Sequence, residues 1–207
     1  MKLKAIQVAS FFYVGVTCIM NKSGREIIAQ IMNAKGVSRT LRRLANEIVE
    51  RNGGVDNLVF IGLRTRGVPI AQRLIACIKE IEQVDIPLGV LDATLYRDDV
   101  AQKSESLLMQ ETDIPFTIDG KVVIMVDDVL YTGRTIRAAL DALMDFGRPA
   151  RIELAVMADR GHRQMPIRAD YIGKTLLTSL GEEVAVRLND IDGNDGIDLV
   201  KTEPRDN

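Results

Sequence analysis

One stretch limits the possible folds more than any other. Residues 121–126 read Lys-Val-Val-Ile-Met-Val, an apolar run with no polar alternation. Such a strand needs apolar cover on both faces, which points to the interior of a parallel sheet. The run leads directly into Asp127 and Asp128, and then into Val129, Leu130, Tyr131, Thr132, Gly133, Arg134 and Thr135. Over residues 133–146 the apolar positions Ile136, Leu140, Leu143 and Met144 lie on one helical face. The segment therefore reads as buried strand, acidic pair, small polar loop and helix.

The same alternation recurs on either side. Over residues 38–51, Leu41, Leu44, Ala45 and Ile48 form one helical face, Arg39, Arg42, Arg43 and Asn46 the other, and Asn52-Gly53-Gly54 ends the helix. Residues 57–63 make a short buried strand, residues 67–81 a helix, and residues 86–95 contain another strand. Residues 96–111 are polar and aperiodic, the signature of a long loop that could act as a lid. Further strands are expected at 151–158, 171–172 and 184–188. Alternating strands and helices imply an α/β fold with a central parallel sheet flanked by helices. Ligands on such sheets sit at the carboxyl ends of the strands, so the loops after Leu63, Leu95, Val126 and Ala158 are where a site is expected.

The chain's 207 residues suit one α/β domain. Residues 1–19 open with Lys2 and Lys4 ahead of an apolar run, but Gln7 and Ser10 interrupt it and it is short for a membrane span. The expectation is an N-terminal extension over 1–19 with a functional start at Met20, a single domain over 20–201 and a frayed tail over 202–207. Cys18 and Cys77 suggest no disulfide framework, and one histidine nearly excludes a Cys/His zinc site. A reducing, cytoplasmic location without membrane attachment follows as the expectation. The net charge of −2 does not advertise nucleic-acid binding by the whole chain. The charge is uneven, however: residues 35–51 and residues 147–168 each carry five basic against two acidic side chains, whereas residues 182–207 carry three against eight.

Successive backbone N–H groups at a helix start bind anions, aided by the helix dipole. In the loop before residues 133–146, Gly133 permits close approach, the Thr132 and Thr135 hydroxyls add donors, and Arg134 adds charge. Asp127 and Asp128, adjacent at a strand end, are costly unless something binds them, and ribose hydroxyls or a hydrated magnesium ion would do so. Phosphate donors beside diol acceptors suit a sugar phosphate. An isolated acidic pair could be no more than a helix cap; the complete strand, pair, loop and helix favours the ligand site. The nucleotide loops G-x-x-x-x-G-K-[ST] and G-x-G-x-x-G are absent.

Segment 122–135 resembles the 5-phosphoribosyl-1-pyrophosphate (PRPP) motif of the type I phosphoribosyltransferases. Thr65-Arg66-Gly67, the TLYRDD run at 94–99, the segment 147–174 with its DRGHR and IRADYIGK runs, and the basic helix near Arg42 extend the likeness over residues 37–200. Those features are similar to the bifunctional pyrimidine operon attenuation regulators and uracil phosphoribosyltransferases. The resemblance implies the type I phosphoribosyltransferase fold with a flexible lid loop and a small hood. It also implies transfer of phosphoribose from PRPP to uracil, giving UMP and diphosphate. Asp127 and Asp128 would hold the ribose hydroxyls, and Val129, Leu130, Tyr131, Thr132, Gly133, Arg134 and Thr135 the 5′-phosphate. Thr65, Arg66 and Gly67, after Arg64, would bind diphosphate, and Arg97 in the lid would close over it. Mg2+ would arrive with PRPP rather than on protein ligands of its own. The base would lie near Asp159, Arg160 and Val184.

The same resemblance implies a second activity, binding of a stem-loop in a pyrimidine-synthesis mRNA leader under the control of UMP or UTP. Its candidates are Arg42, Arg43 and Arg51 on the first helix, with His162, Arg163 and Arg168. Two departures bear on this activity: Asn46 stands where RNA-binding members tend to carry histidine, and Leu180-Gly181-Glu182-Glu183 replaces a more basic stretch. The alternatives are an RNA-binding nucleotide sensor with weak catalysis, or a type I enzyme for another base. A homodimer or higher homo-oligomer is implied, since pairing would join two basic helices.

Overall fold

The computed structural model describes residues 25–93 and 112–202. The expected extension over 1–19, the lid over 96–111 with Arg97, and nearly all of the tail lie outside the described residues.

Five parallel strands form the main sheet: β2 (Leu58–Leu63), β3 (Leu88–Leu91), β4 (Val122–Leu130), β5 (Arg151–Asp159) and β6 (Tyr171–Thr175), in the order β3-β2-β4-β5-β6. All six residues of β2 are buried. Two helices that open the alternation, α1 (Ala34–Asn52) and α2 (Gly67–Glu82), pack together on one face. There Leu44, Ile48, Leu74 and Ile78 meet Phe60, Ile124 and Tyr171. A third helix, α3 (Arg134–Leu143), closes the other face, where Ile136, Ala139 and Leu143 join Ile61, Met125 and Val156. The apolar runs are thus covered on both sides, as their lack of alternation requires.

The helices begin and end close to the expected positions. The first starts earlier, because the Asn33 side chain caps it by accepting from Gly36 N–H at 3.0 Å. It stops at Gly53, whose φ of 65° lies in the left-handed region. The third ends at Leu143 and passes into a 3-10 turn over Met144–Phe146 instead of remaining α-helical. A larger difference concerns β4. It does not stop at Val126 but pairs with β5 through Leu130, so Asp127, Asp128 and Val129 belong to the strand.

A second, antiparallel sheet has the order β1-β8-β7, from β1 (Ile27–Asn33), β7 (Glu182–Arg187) and β8 (Gly196–Lys201), with the short α4 (Asn189–Asp192) between β7 and β8. It forms the hood, with Val184, Val186 and Ile197 reaching the same core as α1 and α2.

A polar cluster ties the end of α1 to β5 and β6. Tyr171 Oη donates to Glu153 Oε2 at 2.6 Å, Asn52 Nδ2 donates to the same oxygen at 3.1 Å, and Arg151 Nε donates to Oε1 at 2.8 Å. Burial pushes the Glu153 carboxyl up, but these three donors together bring it below the ordinary glutamate range. The carboxylate therefore stabilises the fold above the unfolded value of about 4.3 and loses that contribution as pH falls through its lower folded value. The urea midpoint of Glu153→Gln should fall below wild type at pH 7, and the gap should narrow as pH drops below about 4.3 and close once the lower folded value is passed. A gap that persists undiminished in acid would show that the charge is not its source.

Candidate active site

The chain leaves β2 for β3 on one side, and β4, β5 and β6 follow on the other. The carboxyl ends of β2 and β4 thus flank the switch point, where open α/β sheets bind ligands. The turn Arg64–Arg66 and the start of α2 lie on one side of this crevice. The other side carries Asp127, Asp128, the loop Tyr131–Gly133 and the start of α3.

The two sides are in close contact. A Cβ on Gly67 would overlap the Val126 carbonyl oxygen and lie 3.1 Å from its carbon and 3.3 Å from Asp127 Cα. Only glycine fits there. Gly133, at φ +90°, is the left-handed residue that turns the loop into α3, and Arg134 N–H donates to Thr132 Oγ1 at 3.3 Å. Asp127 is buried and accepts from Asp128 N–H at 2.8 Å. Asp128 accepts from Val129 N–H at 2.8 Å. Burial pushes the Asp128 carboxyl above the usual aspartate range, and the charge of Arg66 is the main influence opposing it. The acidic pair is thus held in place at an electrostatic cost that a hydroxyl-bearing or cationic ligand would offset.

Other expected residues are placed differently. The Arg66 side chain is clasped by the hood: Nε donates to Val186 O at 2.9 Å, and Nη2 donates to Asp192 Oδ1 and Oδ2 at 2.9 and 3.2 Å. Asp159, at the end of β5, accepts from Gly161 N–H at 3.0 Å and pairs with Arg163 at 2.6 Å. Arg160 is buried, with Nη2 on Glu182 O at 2.6 Å and its guanidinium 3.9 Å from the Tyr131 ring centroid. Val184, on the hood strand β7, is buried in the core. Arg134 Nε donates to Gln164 Oε1 at 2.8 Å.

Among the basic candidates, Arg43 donates to Ile172 O and Gly173 O, both at 2.8 Å, and Arg51 pairs with Asp170 at 3.3 Å beside the Tyr171 ring. Arg42 is exposed and pairs with Glu80 on α2. His162 Nε2 lies 2.6 Å from Thr178 O, Arg163 is turned inward, and Arg168 is exposed. The sequence shows that these side chains are basic but not where their donors point. The grip of Asp192 on Arg66 and the stacking of Arg160 on Tyr131 carried no sequence signal. A separate hollow lined by Met144, Gly147, Arg148, Pro149, Arg151 and Ile152 lies at the opposite, amino end of β5 and away from this chemistry.

Residues 28–188 match the phosphoribosyl transferase domain. The bifunctional protein PyrR of Pelotomaculum thermopropionicum is 55% identical over 174 residues, which are 84% of this chain and 96% of that protein. This chain belongs to the PyrR family. The PyrR protein of Deinococcus radiodurans is 52% identical over 84% of this chain and 96% of its own length. Among solved structures, a hypoxanthine-guanine phosphoribosyltransferase of Bacillus anthracis superposes with a TM-score of 0.64 at 20% identity, covering 85% of this chain and 98% of the other. A hypoxanthine phosphoribosyltransferase of Staphylococcus aureus superposes with a TM-score of 0.66 at 17% identity, covering 87% and 95%. At those identities the likeness establishes the fold, and the five-stranded parallel sheet of this PyrR-family chain is the type I phosphoribosyltransferase sheet.

Proposed function

We propose that the chain transfers the phosphoribosyl group of PRPP to uracil, releasing diphosphate and forming UMP, and that uridine nucleotides in the same site govern its binding to a stem-loop in a pyrimidine-synthesis mRNA leader. One observation carries the enzymatic part: two turns suited to anions lie at the ends of the neighbouring strands β2 and β4, with the acidic pair at the end of β4 and Gly67 packed against Val126 and Asp127. That arrangement matches a pentose with a phosphate group at each end. Tyr131 to Thr135 receive the 5′-phosphate at the start of α3, and Thr65 to Gly67 receive the diphosphate at the start of α2. Asp127 and Asp128 accept hydrogen bonds from the ribose hydroxyls.

As the bond from ribose C1 to the diphosphate breaks, positive charge grows on the sugar ring and negative charge on the leaving group. The carboxylates stabilise the first and the α2 N-terminus the second. Holding both reactants in line supplies much of the rate, so no covalent nucleophile is required. The donor set fits a magnesium ion carried on PRPP, since the acidic pair offers two carboxylates, the oxygen donors that a hard cation takes. Such an ion would neutralise charge on the diphosphate.

Release of diphosphate from PRPP and Mg2+ should be measured side by side with uracil, orotate, hypoxanthine and guanine. Rapid release with uracil alone is the expected result. Preference for another base would overturn the assignment, and slow release combined with tight UMP-dependent RNA binding would identify a nucleotide sensor. Arg42, Arg43, Arg51, His162 and Arg168 are the exposed candidates for phosphate contact in the RNA complex, in which the protein acts as a homodimer.

Asp128→Asn should lower kcat on the order of 10²-fold, the effect of removing one aimed electrostatic group. Because burial disfavours the wild-type charge, the melting temperature should stay level or rise. Wild-type turnover in this variant would remove Asp128 from the mechanism.

A further inference from the structure

Three consecutive carbonyls run from the end of β4 into the phosphate loop, and residues 160–168 bind all three. Arg163 Nη1 donates to Leu130 O at 3.3 Å and to Tyr131 O at 2.6 Å. Gln164 N–H and Met165 N–H donate to Thr132 O at 2.9 and 3.0 Å. The peptide bonds here are trans. In a planar trans peptide the N–H of the next residue points opposite to the carbonyl. Fixing these carbonyls on one side therefore turns the N–H groups of Tyr131, Thr132 and Gly133 to the other. Successive amides ahead of a helix start form an anion-binding concavity.

Arg163 is itself firmly seated. Its Nη2 pairs with Asp159 at 2.6 Å, its Nε donates to Ile167 O at 3.0 Å, and Nη1 also reaches Gly161 O at 3.1 Å. Gly161 and His162, at φ 74° and 56°, make the left-handed turn that brings the side chain back beneath the loop. With Nε, Nη1 and Nη2 all engaged inside the protein and the side chain only 22% exposed, this guanidinium is poorly placed to meet an external phosphate.

We propose that Arg163 is a positioning residue for the phosphate loop: seated on Asp159, it holds the Leu130 and Tyr131 carbonyls so that the Tyr131 and Thr132 amides face the 5′-phosphate of the bound nucleotide. The identity of that anion rests on the proposed function; the orienting role assigns part of the DRGHR segment to the interior of the site. The planar fork serves several carbonyls and a carboxylate at once, which a lysine ammonium can do only in part.

The full chain and its Arg163→Met and Arg163→Lys variants should be titrated calorimetrically with two probes. UMP carries the 5′-phosphate, whereas magnesium diphosphate lacks it and meets the turn at Thr65–Gly67. UMP affinity should fall about tenfold or more in Arg163→Met and less in Arg163→Lys, with diphosphate affinity within about twofold of wild type in both. Unchanged UMP affinity, or equal weakening of both probes, would overturn the positioning role. If the methionine variant does not fold, the lysine variant decides between the same outcomes. A wild-type chain that binds diphosphate but not UMP would instead overturn the assignment of the 5′-phosphate loop on which the inference rests.

Discussion

Gly67→Ala is expected to destabilise the protein by about 3 kcal/mol, at the upper end of ordinary overpacking, and to abolish diphosphate binding. An added methyl usually finds relief when a neighbouring side chain rotates. Here the obstacles are backbone atoms: the Val126 carbonyl and Asp127 Cα. Both belong to β4, which is paired with β2 on one side and β5 on the other and cannot yield without breaking the sheet. The start of α2 would have to retreat, carrying the turn Arg64–Arg66 out of register with Asp127 and Asp128. A reduced urea midpoint with unchanged m-value, together with loss of heat on adding magnesium diphosphate, would show both effects. A variant with the wild-type midpoint would mean that the two sides of the crevice are less tightly packed than the geometry indicates.

This dependence on backbone contact also explains what could be read from the sequence. The main sheet was legible because a strand buried on both faces announces itself as an unbroken apolar run, as in residues 58–63 and 122–126. The end of β4 was not, since Asp127 and Asp128 look like loop residues. The strand continues because its register with β5, Asp127 opposite Val156 and Leu130 opposite Asp159, is maintained by main-chain bonds indifferent to side-chain polarity. Neither β1 nor β8 was anticipated. Ile27 pairs with Val200, and no local pattern reports a partner so distant in sequence; the burial of β1 also fails to alternate. Within the site, the acidic pair and Gly133 were visible because their chemistry is carried by residue type. The arginines were ambiguous because charge is visible in a sequence but the direction of a guanidinium is not. Arg66 is held by Asp192, and Arg163 by main-chain carbonyls.

The hood strands enclose a buried ion pair whose disruption should be equally severe. Asp198 on β8 is 1% exposed, and Arg187 on β7 meets it with two hydrogen bonds, Nε to Oδ2 at 2.7 Å and Nη2 to Oδ1 at 3.1 Å. Gly196 makes room for this fork: a Cβ there would overlap Nη2 and lie 3.0 Å from Cζ. Arg187→Met would leave a carboxylate in the core without its counter-ion, and a loss of about 3–5 kcal/mol is expected. If the cost arises from the stranded charge and not from lost packing, Arg187→Met combined with Asp198→Leu should recover most of it, since an apolar pair of similar volume often replaces a buried salt bridge without penalty. Because Val186, next to Arg187, supplies the carbonyl that holds Arg66, the single variant should also loosen the clasp on the turn after β2. Hydrogen exchange of the β7 and β8 amides should then accelerate ahead of those in β4 and β5. Equal acceleration throughout would mean that the hood has no separate opening motion and that the pair stabilises the domain as a whole.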